Sequence, residues 1–183
     1  MRNEAEKTDA SHPQTSASGY DISPLPAAVI KDLAKTLTAD ERHVLLEHGT
    51  ERAFCGLLLD NKEEGIYACR LCGLPLFRSG TKFESGTGWP SFTAPFDANH
   101  IAYVEDRSYG MRRIEIRCKR CASHLGHVFN DGPAPTRLRY CLNSVSLEFF
   151  KSGEEKPFQQ NTYLLHQYSS PLFFPDEYND RLP

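Results

Sequence analysis

The sequence predicts a mainly β domain, preceded by two short helices and clasped by a metal ion. Three observations carry this. After Gly49 the apolar residues come in short runs, several alternating with polar ones, separated by turns rich in Gly, Asn and Asp, the pattern of strands. Before Gly49 the apolar spacing is helical. Two C-x-x-C pairs, Cys69/Cys72 and Cys118/Cys121, each end a strand-like run.

The 183 residues suffice for one domain with a substantial core and some tail. Residues 1–23 are polar, with little to bury, and read as a flexible tail. The domain is expected over 24–150, and the aromatic-rich 151–183, interrupted by Pro171 and Pro175, as an extension wrapping its surface. The net charge of -3 gives no reason to expect nucleic acid or an anionic membrane as partner. No apolar run is long enough for a bilayer, and the first residues lack the apolar stretch of a secretory signal. A cytoplasmic, reducing location is therefore expected, where cysteines serve as metal ligands or redox thiols before disulfides.

In chain order, Val29, Ile30, Leu33 and Leu37 lie close to one helical face. Thr38-Ala39-Asp40-Glu41 is a capping box opening a second helix, with Val44, Leu45 and Leu46 buried and Gly49 just past its end. Strands are expected at Leu57–Leu59 and Ile66–Ala68, around Ile101 and Tyr103, and around Ile114 and Ile116. Turns fall at 60–65, 106–110 and 130–135. Read with a period of two, Arg139, Cys141, Asn143, Val145, Leu147 and Phe149 share one face of a single strand over 139–150, reactive at its start and apolar at its end.

Cys69, Cys72, Cys118 and Cys121 supply four sulfurs, the donor set of a closed structural zinc site. Iron also accepts four thiolates, and a lone C-x-x-C would fit a redox pair. Arg139 beside Cys141 is expected to lower the thiol pKa and favour the reactive thiolate. The plainer reading makes Cys141 a small buried hydrophobe. His124 and His127 are candidate ligands or site residues, against an ordinary hydrogen-bonded role. Trp89 taken alone reads as a core aromatic.

Four segments stand in family order around the cysteine pairs: Glu63-Glu64-Gly65-Ile66-Tyr67, Ser85-Gly86-Thr87-Gly88-Trp89-Pro90-Ser91-Phe92, His124-Leu125-Gly126-His127-Val128-Phe129 and Arg139-Tyr140-Cys141-Leu142-Asn143-Ser144. From about Pro26 to Phe150 the chain closely resembles the B-type peptide-methionine (R)-S-oxide reductases. The resemblance implies a β-tent-like pair of antiparallel sheets with N-terminal helices and a structural zinc ion opposite the active site. It implies thioredoxin-dependent reduction of methionine (R)-sulfoxide, free or in oxidised proteins, by a chain taken here as a monomer. Cys141 matches the nucleophile, which becomes a sulfenic acid. His124 and His127 match positions near the sulfoxide oxygen, and Asp131, Arg139 and Asn143 match residues that orient the site. Trp89 matches the residue packed on the substrate methyl group.

One position departs from the family. Many relatives have a resolving cysteine where this chain has Thr87, so the usual intramolecular disulfide is absent. Some relatives resolve from the region of Cys55, which remains as the candidate here; its alternative is an inert packing cysteine. Two rival functions are a zinc-stabilised binding module and a zinc hydrolase. The closed four-cysteine site leaves the hydrolase no position for a metal-bound water.

Overall fold

The computed structural model describes residues 14–153. Helix α1 (Ala27–Leu33) buries Val29 and Leu33 and passes through a single 3-10 turn into α2 (Ala39–Glu47). The capping box forms as expected: the Glu41 amide donates to the Thr38 hydroxyl at 3.2 Å and the Thr38 amide to the Glu41 carboxylate at 2.8 Å. Glu41 also accepts from Arg70 at 2.6 Å, tying the helix to the first cysteine pair.

The end of α2 corrects the sequence reading. His48, not Gly49, takes the left-handed cap (φ 58). Its ring is held by Glu115 at 2.8 Å. Gly49 lies against the exposed His43 ring, where a Cβ would stand 2.4 Å from it and the ring would have to swing aside.

Among the described residues nine strands follow: β1 (Gly65–Cys69), β2 (Pro75–Arg78), β3 (Lys82–Phe83), β4 (Ser91–Phe92), β5 (Ile101–Asp106), β6 (Arg113–Cys118), β7 (His124–Phe129), β8 (Arg139–Leu142) and β9 (Leu147–Lys151). They form two antiparallel sheets, ordered β2-β1-β9 and β3-β4-β8-β7-β6-β5. Tyr67 and Phe77 of the small sheet meet Phe92 and Tyr140 of the large one at ring separations between 4.7 and 5.5 Å, and Phe149 packs on Tyr67 within the small sheet at 4.9 Å, an aromatic core.

Three further expectations fail for identifiable reasons. Leu57–Leu59 is a turn, with Leu57 95% exposed, because no partner strand reaches it. The run 139–150 is not one strand: β8 lies in the large sheet and β9 in the small one. Between them the Glu51 carboxylate accepts from the amides of Ser144 and Val145, withdrawing them from any ladder. Residues 14–23 of the expected tail are packed rather than loose. Thr15 bridges Asp21, Ile22 is buried, and Ser18 donates to Asp97 at 2.6 Å. Residues 1–13 and most of the expected C-terminal extension, 154–183, lie outside the described residues.

Candidate active site

Cys141 is half-buried on β8, with Ser91 of β4 opposite it on one side and His127 of β7 on the other. Glu115 of β6 faces His127 in turn. Residues opposite one another in a ladder point to the same face, so Glu115, His127 and Cys141 form one row. Gly126 makes the close approach possible: a Cβ there would lie 2.0 Å from the Cys141 carbonyl oxygen.

His124 is three residues before His127, and a regular strand would turn the two to opposite faces. A bulge prevents this. Ile116 faces Gly126 while Arg117 faces His124, leaving Leu125 as an extra residue on β7. Both histidines therefore line the same pocket. The carbonyl of the extra residue is also used: Leu125 accepts from the Asn143 amide at 2.9 Å and from the Asn143 side chain at 3.1 Å.

Each histidine is held by a carboxylate, which can only accept, so the facing ring nitrogen carries a hydrogen. Nε2 of His127 donates to Asp106 at 2.8 Å, and Arg113 donates to the same Asp106 oxygen at 2.7 Å. Nδ1 of His124 donates to Glu115 at 2.6 Å, with Arg117 on the other Glu115 oxygen at 2.6 Å. Burial opposes the Glu115 charge, but Arg117, His124 and His48 together hold its pKa down to about 2. Hydrogen bonds from Ser108, then from His127, hold Asp106 well below the usual carboxylate range. Burial pushes the His124 pKa down, keeping the ring neutral near pH 7.

The expectation that Arg139 lowers the Cys141 pKa is overturned in its net direction. Burial pushes the thiol up and outweighs the pull of Arg139, whose charge is shared with Asp131 through two 2.8 Å hydrogen bonds. Alkylation of Cys141, located by mass mapping, is therefore expected to rise with pH and reach half its maximum rate above about 8.5, the ordinary thiol value. A midpoint below that value would contradict the balance described here. Arg139→Gln should move the midpoint further up.

The pocket of about 120 Å³ is lined by Cys141, Trp89, His124, His127 and Asn143 of the expected residues, and by Thr50, Arg113 and Phe129, which the sequence reading missed. Arg139 and Asp131 do not line it. Arg139 stands over the Phe129 ring at 4.5 Å and also interacts with the Cys141 sulfur. Asn143 is engaged in bracing: its oxygen accepts from the Glu51 amide at 3.0 Å while its nitrogen holds Leu125. Trp89 donates its indole N–H to the Glu51 carbonyl at 3.2 Å.

Thr87 stands with its hydroxyl 3.9 Å from the Cys141 sulfur. Cys55 is exposed and outside the pocket lining, but its segment touches both ends of the site. The Phe54 amide donates to the Gly88 carbonyl at 2.8 Å, and a Cβ on Gly56 would lie 2.1 Å from the Ser144 hydroxyl.

The four expected metal ligands converge. Cys69 lies 3.5 Å from Cys121 and Cys72 3.5 Å from Cys118, sulfur to sulfur, all four being buried and unbridged. A tetrahedral zinc ion with bonds of about 2.3 Å would set its sulfurs roughly 3.8 Å apart, so the donor set fits. The two turns match: Gly73 and Ala122, each just after the second cysteine, are left-handed and donate back to Cys69 and Cys118. One pair closes β1 of the small sheet and the other β6 of the large one, so a bound ion would join the sheets. Along β6 and across two ladders, Cys118 is about 14 Å from Cys141 at ordinary strand spacings.

A half-buried thiol, two carboxylate-held imidazoles and a tryptophan share one pocket on a β scaffold that carries a four-cysteine cluster, the composition of a candidate enzyme active site. The comparisons name its family. The SelR domain matches residues 37–151. The chain is 63% identical over 142 residues to the peptide methionine sulfoxide reductase MsrB of Caulobacter vibrioides, covering 78% of this chain and 89% of that protein. It is 56% identical over 140 residues to the protein of that name from Xylella fastidiosa, covering 76% and 90%. With that from Methanosarcina barkeri the figures are 58% over 127 residues, 67% and 89%. The chain belongs to the MsrB family of peptide methionine sulfoxide reductases, which are oxidoreductases. No helix among the described residues is long and apolar enough to cross a membrane.

Proposed function

We propose that this chain reduces methionine (R)-sulfoxide, free or in oxidised proteins, through a sulfenic acid on Cys141 and a disulfide with Cys55 that thioredoxin reduces. The observation that carries the reading is the single pocket joining Cys141 to Trp89, His124 and His127. The Cys141 thiolate, favoured by Arg139 against burial, attacks the sulfoxide sulfur. His127, whose Nε2–H is held by Asp106, takes up a proton from solvent at Nδ1 and delivers it to the oxygen as the original S–O bond weakens. The oxygen moves to the Cys141 sulfur as the new sulfur–sulfur bond breaks, leaving a sulfenic acid and releasing methionine, so that two electrons have passed from the cysteine sulfur to the substrate sulfur. Trp89, fixed through its indole nitrogen, offers a ring face to the S-methyl group.

Cys55 then condenses with the sulfenic acid, forming the disulfide and releasing water. Thioredoxin's dithiol restores both thiols and leaves as its own disulfide. Thr87, placed against Cys141, has no thiol to offer. Cys69, Cys72, Cys118 and Cys121 would hold one structural zinc ion, whose contribution is to join the two sheets. A reducing, cytoplasmic setting fits this use of all six cysteines.

Separated sulfoxide epimers, supplied without reductant, test the reading. About one methionine per chain should be released from the R epimer and almost none from the S, with a Cys55–Cys141 disulfide in the mass map. Cys55→Ser should release the same single methionine yet lose thioredoxin-driven turnover. Undiminished turnover in that variant would mean that the sulfenic acid is reduced directly and Cys55 only packs.

A further inference from the structure

Three elements send a side chain to one point beside the pocket. His48 comes from the left-handed cap of α2, Glu115 from the middle of β6, and His124 from the bulged start of β7. One oxygen of Glu115 accepts from Nδ1 of His48 at 2.8 Å and from Nδ1 of His124 at 2.6 Å. The other accepts from Arg117 at 2.6 Å. The Glu115 and His124 side chains are 8% and 3% exposed, whereas that of His48 is 46% exposed and open to solvent.

We propose that Glu115 is a positioning residue for His124, fixing its ring with the hydrogen on Nδ1, and that His48 and Arg117 hold Glu115 to that task. This rests on the reading of His124 as a site residue given above. The physical basis is the cost of the alternatives. Turning the His124 ring would strand a buried N–H and leave a buried carboxylate short of one of its three donors. The neutral ring is thus confined to one tautomer, with Nε2 as its lone-pair nitrogen. An ionised carboxylate on Nδ1 also stabilises the imidazolium formed when Nε2 takes a proton, as the third member of a catalytic triad does for its histidine. The charged or titratable groups facing His124 are Glu115, His127 and His48, and Glu115 is the sole anion among them. Burial alone would leave His124 too weak a base to share a proton with the reacting atoms. Glu115 offsets part of that loss, although burial still prevails.

Two measurements test this on the zinc-loaded full chain. In the wild type, long-range ¹⁵N–¹H spectra should show His124 protonated on Nδ1, and His48→Leu should broaden or shift that signal. Single-turnover release of methionine from the R epimer should fall about 10- to 100-fold in Glu115→Gln, with zinc content unchanged and the pH profile displaced. Glu115→Asp should recover part of the rate, which a purely structural loss would not allow. If Glu115→Gln fails to fold, the wild-type tautomer carries the test together with His48→Leu at the half-exposed His48, whose single-turnover rate is expected to fall. An Nε2–H tautomer for His124, or wild-type single-turnover rates in Glu115→Gln, would overturn the proposal. If His124→Gln slows single turnover while Glu115→Gln does not, the positioning role fails and the site reading stands. If His124→Gln has no effect, both fail.

Discussion

Cys141→Ser is expected to lower methionine release in a single turnover by more than about 10³-fold, the scale on which losing a nucleophile shows in other enzymes. A serine hydroxyl stays protonated near neutral pH, and its oxygen has no accessible oxidation step equivalent to the sulfenic acid. The substitution is nearly isosteric at a half-buried position, so zinc content and thermal stability should hardly change. That pairing separates chemistry from packing. If Cys141 were only a small buried hydrophobe, the serine variant would show the reverse: some loss of stability and no loss of rate.

The second large effect concerns the clasp. Cys118→Ser should lower zinc content and unfold the protein at a temperature roughly 8 to 16 °C below the wild type, taking about 4 kcal/mol for a lost cross-link between sheets. The variant leaves three buried sulfurs whose ion must accept a poorer ligand. Acid should act in the same direction. Zinc binds thiolates, so lowering the pH returns protons to the sulfurs and weakens the site. Without a bound cation, the neighbouring thiols and burial push the Cys69 and Cys72 thiols up, so proton release on metal binding should be measurable by calorimetry. Wild-type protein stripped of metal and just as stable as the loaded form would contradict this account. Activity should fall with the fold rather than ahead of it, because the cysteines offer no open position to substrate.

Local signals in the sequence were reliable where the physics is local. The Thr38 capping box, the hairpin of β5 and β6 and the two cysteine turns involve neighbours in the chain, and each forms as read. The pocket set of Trp89, His124, His127, Cys141 and Asn143 was legible through the family motifs, and no periodicity would have assembled it. What was missed depends on distant partners. The left-handed His48 needs Glu115, 67 residues away. The break after β8 needs the Glu51 carboxylate, over 90 residues away. His124 and His127 share a pocket only because of a one-residue bulge. The direction of the Cys141 shift is decided by burial, which the neighbouring Arg139 does not reveal. The sequence of β6 does carry a usable signal: Arg113, Glu115 and Arg117 alternate on one face next to the histidine strand, and all three touch the site or its carboxylates.

Transfer of the substrate oxygen to the sulfur of Cys141 leaves a product that can be trapped. The Cys55→Ser variant, loaded with zinc, is given methionine (R)-sulfoxide in the presence of dimedone, which captures sulfenic acids, and the digest is mapped by mass. One dimedone adduct is expected, on Cys141, formed in step with about one methionine released per chain. Methionine released with no adduct on Cys141, or with the adduct on another cysteine, would contradict it.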